Sequence, residues 1–212
     1  MKPLFIVLLG ATATTAMSSF AAAAPASSYE ESYTYIKPNV DLAKYKSLLI
    51  KPTSVSSEPA AQFDGISVED QWKFAQLVTD ALGAEMPKSF NVVQAKGPHT
   101  IALQVTILGA KKTTGGVATA TRILPIGLAT NAFKSAEGKS GTLTGSLLVE
   151  VDITDASTGE LLAAAIRRRA PDALNVGATL STTDTVKAVA NEMAKTLREK
   201  LIEAGMAVQV GP

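Results

Sequence analysis

The sequence predicts a single α+β domain of two layers, in which a mixed, mostly antiparallel sheet has its helices packed on one face. Two observations predict this fold. Several segments alternate apolar and polar residues with the period of two that is typical of strands with one buried face. Two longer segments repeat their apolar residues at three- and four-residue steps, as amphipathic helices do. In chain order the predicted elements are β-α-β-β-β-β-α.

Five strands are predicted, at residues 45–52, 90–95, 99–109, 146–154 and 161–169. The first ends at Pro52, which cannot donate a hydrogen bond to a neighbouring strand. The third and fourth alternate most clearly, and the fourth and fifth are joined by the turn DASTGE at 155–160. We expect Gly159 in this turn to adopt a positive φ.

The first helix is predicted to begin at Ser67 and to end before Pro87. Asp70 follows Ser67 by three residues and completes an acidic capping box, which satisfies free amides of the first turn. The second helix is predicted from about Thr183 to Ala204, and Gly205 stops it.

Trp72 lies at the edge of the apolar arc of the first helix. A tryptophan in this place can be a boundary core residue or part of a binding surface. We favour the boundary core residue, because tryptophan is mostly, though rarely completely, buried in folded proteins.

The first 23 residues have the pattern of a secretory signal peptide. Lys2 precedes the apolar run Leu4–Gly10, and small residues lead up to Ala23, where we expect cleavage. The apolar run is too short to span a bilayer as a helix. We therefore divide the chain into a signal peptide (1–23), an extended arm (24–44), the α+β domain (45–205) and a C-terminal tail (206–212).

Charge and cysteine content exclude several functional classes. Lys2 is the one charged residue of the leader, so its removal from 20 basic and 19 acidic residues leaves 19 of each. This balance argues against nucleic acid and against broad electrostatic binding to anionic lipid, although local patches remain possible. The absence of cysteine excludes disulfide scaffolds, zinc–thiolate sites and thiol catalysis, and it removes the thiol on which a lipoprotein anchor is built. We expect a soluble product after export.

A long connection, 111–141, joins the third and fourth strands and has an apolar middle. We favour a surface excursion that folds back on the domain, and a flap that binds a partner or touches a membrane is the second interpretation. A helix of 11 residues reaches about 16 Å, so a spanning helix is excluded. The candidate partner-binding residues of this connection are Arg122, Ile123, Leu124, Ile126, Leu128 and Phe133.

No catalytic constellation, metal site or cofactor site is assigned. His99 is the only histidine, and no G-x-S-x-G motif accompanies it. Asp152 and Asp155 are three residues apart on a strand, which sends them to opposite faces. In the cluster 167–169, Arg167 and Arg169 share a face; we favour a solvated strand end and keep contact with an acidic partner as the alternative.

Four segments together resemble a family of uncharacterised bacterial envelope proteins, the domain-of-unknown-function family DUF3313. They are YTYIKPNVDLAKYKSLLIKP (33–52), VVQAKGPHTIALQVTI (92–107), RILPIG (122–127) and VEVDITDASTGELLAAAIRRR (149–169). Many members look like lipid-anchored outer-membrane proteins of Gram-negative bacteria. This chain differs because it has no cysteine at the cleavage site, and the resemblance supplies no catalytic residues.

These observations predict an exported protein of the bacterial cell envelope, in the periplasm or outside the cell, that binds or scaffolds an envelope protein or outer-membrane component and is not an enzyme. Two alternatives stay open. A hydrolase of wall polymers or glycans requires a cleft with two carboxylates about 5–9.5 Å apart. A carrier of small apolar ligands requires a closed pocket of about 300 Å³ or more.

Overall fold

The computed structural model describes residues 32–63, 65–113, 145–171 and 180–206. The predicted signal peptide and the candidates from Arg122 to Phe133 lie outside these ranges. The described elements are β1 (Thr34–Ile36), β2 (Ser47–Ile50), β3 (Ser54–Val55), α1 (Val68–Glu85), β4 (Asn91–Val93), β5 (Thr100–Lys111), β6 (Ser146–Asp155), β7 (Leu161–Arg169) and α2 (Thr182–Glu203).

These strands form one sheet in the order β1-β7-β6-β5-β2-β4, with β3 also pairing β5. β1, β7, β6 and β5 pair antiparallel, whereas β2 runs parallel to β4 and β5, and β3 runs parallel to β5. The predicted α+β fold with a mixed sheet is confirmed. All five predicted strands are present, and β1 and β3 are additional.

The two additional strands are short segments held by a longer neighbour. β1 lies within the predicted arm and pairs with β7, from Thr34 opposite Ala165 to Ile36 opposite Ala163. β3 continues along β5 beyond Pro52, where the amide of Ser56 donates to the carbonyl of Ile107 at 2.8 Å. Neither strand is long enough to show a period of two in the sequence.

The main hydrophobic core lies between one face of the sheet and the two helices. The alternation predicted for β5 is confirmed, because its core-facing residues are completely buried: Ile101, Leu103, Val105 and Ile107. The helices cover them with buried residues that include Phe74, Val78, Leu82, Val186, Val189 and Met193. Both helices therefore pack on the same face, as predicted.

A second, smaller cluster lies on the opposite face, which we call the helix-free face. Leu108, Leu148 and Ile166 are buried there, with Tyr33 and Ala60 packed against them. The segment before β1 and the loop after β3 thus cover part of the sheet that the helices leave open.

The predicted capping signals are confirmed. The Ser67 hydroxyl accepts from the Asp70 amide at 3.1 Å and donates to the Asp70 carboxylate at 2.8 Å. Gly205 ends α2 with a φ of 87°, and Gly159 turns the β6–β7 hairpin with a φ of 77°. A second capping box, Ser181 with Asp184, starts α2.

The two helices run side by side in the same direction. At their C-terminal ends, Arg198 donates to the Glu85 carboxylate at 2.8 Å and to the buried Ser89 hydroxyl at 3.1 Å. Their N-terminal ends therefore point to one end of the domain, where β5 ends and β6 begins.

Candidate functional site

The long connection leaves and re-enters the sheet through a narrow neck, formed by Thr113, Gly145, Thr182 and Thr185. The Thr113 hydroxyl accepts from the Gly145 amide at 3.1 Å and lies 2.5 Å from the Thr185 hydroxyl. The Thr113 amide donates to the Thr182 hydroxyl at 3.1 Å. One threonine thus joins both ends of the connection to the first turn of α2.

Glycine is required at the neck because there is no room for a side chain. A Cβ on Gly145 would lie 2.7 Å from the Lys111 carbonyl, well inside van der Waals contact. The close approach explains why β5 and β6 stay paired up to Lys111 and Ser146.

The neck also brings the two helix N-termini together. The ammonium of Lys112 lies against Gly65, three residues before the start of α1, at 3.4 Å from the position a Cβ would occupy. The next residue, Thr113, holds the start of α2. We call this part of the molecule the helix N-terminal end.

Large apolar side chains are exposed at the helix N-terminal end. Val68 is 66% exposed and Trp72 is 60% exposed, and as residues i and i+4 they share one side of α1. Leu180, also 60% exposed, stands directly before the N-cap of α2. The expectation that Trp72 is a boundary core residue is wrong, because most of its surface is exposed and it belongs to neither hydrophobic cluster of the described residues.

Exposed cations stand at the ends of two strands. Lys111, Lys112 and Arg169 are exposed at the ends of β5 and β7, and Arg169 lies opposite Leu147 near the start of β6. Asp70 and Asp184, the acidic residues nearest the helix starts, are held in the two capping boxes.

The three arginines of the cluster 167–169 have different surroundings. Arg167 donates to the carbonyls of Tyr33 and Ile166 at 2.5 and 2.8 Å and to the Thr34 hydroxyl, so its guanidinium fastens β1 to β7. Arg168 contacts Ser146 and Gln62. Arg169 is exposed and lines a shallow cavity with Val189, Glu192 and Thr196, which lie beyond the first turns of α2.

Two carboxylates stand side by side on the helix-free face. Glu150 pairs with Thr106 and Asp152 with Gln104 on β5, so both side chains project away from the helices. Burial raises the pKa of both carboxyls; the neighbouring Asp152 raises that of Glu150 further, whereas Lys51 partly offsets the effect on Asp152. At about 3.4 Å per residue their Cα atoms are about 7 Å apart.

A ligand carrier needs a large pocket, and a metal site needs a group of ligating side chains. A shallow cavity of about 40 Å³ lies between the end of β7 and α2, lined by Arg169, Ala170, Val189, Glu192, Met193 and Thr196. This volume is far below what a carrier of small apolar ligands requires. In the described ranges no group of three or more His, Asp or Glu residues is placed to hold a metal ion.

His99 lies in an exposed turn before β5 with a φ of 55°. Its carbonyl accepts from the amides of Lys46 and Ser47 at 2.8 and 3.2 Å, which fixes the start of β2. The described interactions of this residue are therefore structural. Across the described ranges, no helix is both long enough and apolar enough to cross a membrane.

Sequence reasoning missed Val68, Leu180 and the neck. On a 100° helical wheel Val68 falls 40° from Trp72 and outside the core-facing arc, so a signal for the exposed pair was present. The neck gave no such signal, because its hydrogen bonds join residues 32 to 72 positions apart.

A family model described as "Protein of unknown function (DUF3313)" matches residues 13–197. No curated protein matches the chain. Several solved structures are similar at low identity. A PelC dodecamer from Paraburkholderia phytofirmans has 12% identity and a TM-score of 0.38, covering 84% of this chain and 98% of its own.

Two further structures are similar at the same level. A DUF330 protein from Xanthomonas campestris has 8% identity and a TM-score of 0.41, covering 80% of this chain and 90% of its own. A protein described as a homolog of a neuraminyllactose-binding hemagglutinin, from Helicobacter pylori, has 11% identity and a TM-score of 0.33, covering 79% and 88%. TM-scores this low carry no argument about function.

Proposed function

Because the chain belongs to the DUF3313 family of proteins of unknown function, we propose a function from its own residues: it is an exported, non-enzymatic protein of the bacterial cell envelope that binds another envelope component. The proposed binding surface is the helix N-terminal end.

The observation that carries this proposal is the exposure of Val68, Trp72 and Leu180 at one end of the domain. Fully burying side chains of this size is worth about 1.5–3 kcal/mol each, so leaving three of them in water forgoes stabilisation that folding would otherwise use. Exposed apolar side chains gathered at one place are typical of interaction sites. The core does not need Trp72, since Phe74 and Val78 already fill the sheet-facing side of α1.

Support for export comes from the first 23 residues, whose charged start, apolar run and small-residue end have the order of a secretory signal. Such a leader delivers the domain to a compartment where membranes and envelope proteins are the available partners.

The export part is tested by fractionating cells that express the full chain. We expect mass spectrometry of the envelope fraction to find an amino terminus at Ala24. An intact amino terminus in the cytosolic fraction would refute export.

The binding part is tested with the same fractions. Trp72→Ser should reduce the amount of protein that sediments with envelope membranes, whereas Ile36→Ser, which changes a similarly exposed residue on β1, should not. Equal sedimentation of both variants and the unchanged protein would remove the helix N-terminal end from the proposal.

A second candidate, a glycan hydrolase, is favoured by the position of Glu150 and Asp152 on the same face of β6 and by the raised pKa of both carboxyls. It predicts that purified protein releases sugars from cell-wall material and that Glu150→Gln abolishes the release. The absence of release by the unchanged protein would dismiss this candidate.

A further inference from the structure

We propose that the partner of the helix N-terminal end is the surface of an anionic lipid bilayer. Trp72, Val68 and Leu180 enter the interfacial layer, and Lys111 and Lys112 face the phosphates. This inference rests on the proposed binding surface and names its partner.

Trp72 has the chemistry of a residue at a membrane interface. Its indole combines a large apolar ring with one polar N–H, and tryptophan is enriched at the level of lipid headgroups for this reason. Its helical neighbour Val68 is exposed on the same side of α1, so both enter an apolar layer together. The exposed pair has the polar Glu69 and Lys73 beside it, which stay in water when the helix end touches the surface obliquely.

Leu180 supplies a second apolar contact beyond α1. It precedes the N-cap Ser181, and the first turn of α2 is joined through Thr113 to the residue that follows Lys112. Because Lys112 lies against the segment leading into α1, the apolar residues of both helix starts belong to the same end of the domain. Two separated anchors fix the orientation of a domain on a surface better than one.

The charge of this end matches an anionic surface. Lys111 and Lys112 are exposed, and Lys73 adds a third cation beside Trp72. Asp70 and Asp184 each carry a hydrogen bond from a capping serine and offset the positive ends of the helix dipoles. The three lysines balance Glu69, Asp70 and Asp184, and the positive ends of the two helices leave a small positive excess, although the whole chain is nearly neutral.

A small group of apolar side chains and a few cations give weak, reversible attachment. Binding at an interface increases with the apolar area inserted and with attraction to anionic lipid. Each lysine or arginine near an anionic surface strengthens binding by about fivefold, and salt reduces this contribution.

The test uses Trp72 as its own probe, because it is the only tryptophan in the chain. The protein purified from whole cells is titrated with vesicles of phosphatidylethanolamine and phosphatidylglycerol, and with vesicles of phosphatidylcholine. With the anionic vesicles we expect the emission to shift to shorter wavelength and to be quenched by lipids brominated near the headgroup. Raising the salt concentration should weaken binding.

Variants separate the apolar from the charged contribution. Val68→Ser and Leu180→Ser should each weaken binding to anionic vesicles by about three- to tenfold. The double variant of Lys111→Gln and Lys112→Gln should weaken it by about twentyfold. Ile36→Ser is the matched control, with an exposure equal to that of Val68, and should leave binding unchanged.

Three results would overturn the inference: an unshifted emission at every lipid concentration, equal binding to phosphatidylcholine vesicles, or an equal loss of binding in Ile36→Ser. An emission shift that requires envelope proteins and not vesicles would assign the surface to a protein partner instead. Because the vesicles are synthetic, failure here leaves the export test unaffected, and failure of export leaves this measurement interpretable.

Discussion

The hydroxyl of Tyr45 donates a hydrogen bond of 2.8 Å to the Asp155 carboxylate across 110 residues of sequence. Tyr45 is 1% exposed, and it joins the segment before β2 to the turn between β6 and β7. The same carboxylate accepts from the Ser157 amide and hydroxyl and from the Thr158 amide at 2.6–3.0 Å. One aspartate therefore shapes a local turn and fixes a distant part of the chain to it.

Tyr45→Phe should lower the free energy of unfolding by about 1–2 kcal/mol, because a hydrogen bond to a charged group is lost while Asp155 keeps its turn partners. Urea unfolding followed by circular dichroism measures the change. Tyr35→Phe, on the edge strand β1, is the control and should change it by less than about 0.5 kcal/mol. Equal effects of both variants would show that the Tyr45 hydroxyl contributes nothing specific.

The Tyr45–Asp155 pair also predicts how stability depends on pH. Hydrogen bonds from the Ser157 hydroxyl, the Thr158 amide and the Tyr45 hydroxyl hold the pKa of Asp155 well below its usual range. Its contribution is therefore complete above the unfolded pKa of about 3.9 and is lost as the pH falls below that value. Asp155→Asn should flatten the acid side of a plot of stability against pH. An acid limb as steep as that of the unchanged protein would contradict this assignment.

Stability at alkaline pH depends on Tyr45. Burial and the hydrogen bond to Asp155 raise the pKa of Tyr45 from 10.0 to about 12. The neutral hydroxyl is favoured in the folded state, so this contribution is complete below about pH 10 and is lost as the pH rises toward 12. Unfolding measured between pH 9 and about pH 12 should show this loss in the unchanged protein and not in Tyr45→Phe.

Elements defined by short-range patterns could be predicted from the sequence. The capping box of Ser67 and Asp70 lies within one helical turn, and β5 shows its period of two over a long strand, so neither needs knowledge of the fold. β1 is three residues long and exists because β7 offers it a partner, which a local pattern does not reveal.

The candidate site depends on contacts that the sequence does not encode locally. On a helical wheel, Trp72 falls at the edge of the apolar arc of α1. Whether a residue in that position is buried depends on which other segments pack over it. The neck likewise needs three distant segments to meet at Thr113. This is why the sequence predicted the layers of the fold but not the exposed apolar group.

Replacing Arg198 tests the contact between the C-terminal ends of the helices. Arg198→Met should lower the free energy of unfolding by about 1–3 kcal/mol, because Glu85 and the buried Ser89 each lose a partner. Lys200→Met is the control, since the Lys200–Glu203 pair is exposed and contributes less than about 0.5 kcal/mol. Thermal unfolding compares the two variants, and equal melting temperatures would show that the Arg198 contacts do not stabilise the packing.

Glu150→Gln should stabilise the protein at pH 7. The pKa of Glu150 is raised by burial and by Asp152, so the folded state favours the protonated form and loses stability as the pH rises through the unfolded pKa to the folded one. The variant should therefore melt at a higher temperature at pH 7 and at nearly the same temperature near pH 3. A lower melting temperature at pH 7 would mean that the charged carboxylate has a stabilising partner.

Thr113→Val should separate the two ends of the long connection from α2. The variant removes the acceptor of the Gly145 amide and the contact with the Thr185 hydroxyl, so we expect the free energy of unfolding to fall by about 1–3 kcal/mol. Hydrogen exchange should speed up first at Lys111 and Ser146, the paired ends of β5 and β6, because the neck holds them together. Thr183→Val, at the start of α2, is the matched control and should leave exchange at these strand ends unchanged. Unchanged exchange in Thr113→Val would show that strand pairing alone holds the connection closed, and the neck would then have no part in positioning the exposed apolar group.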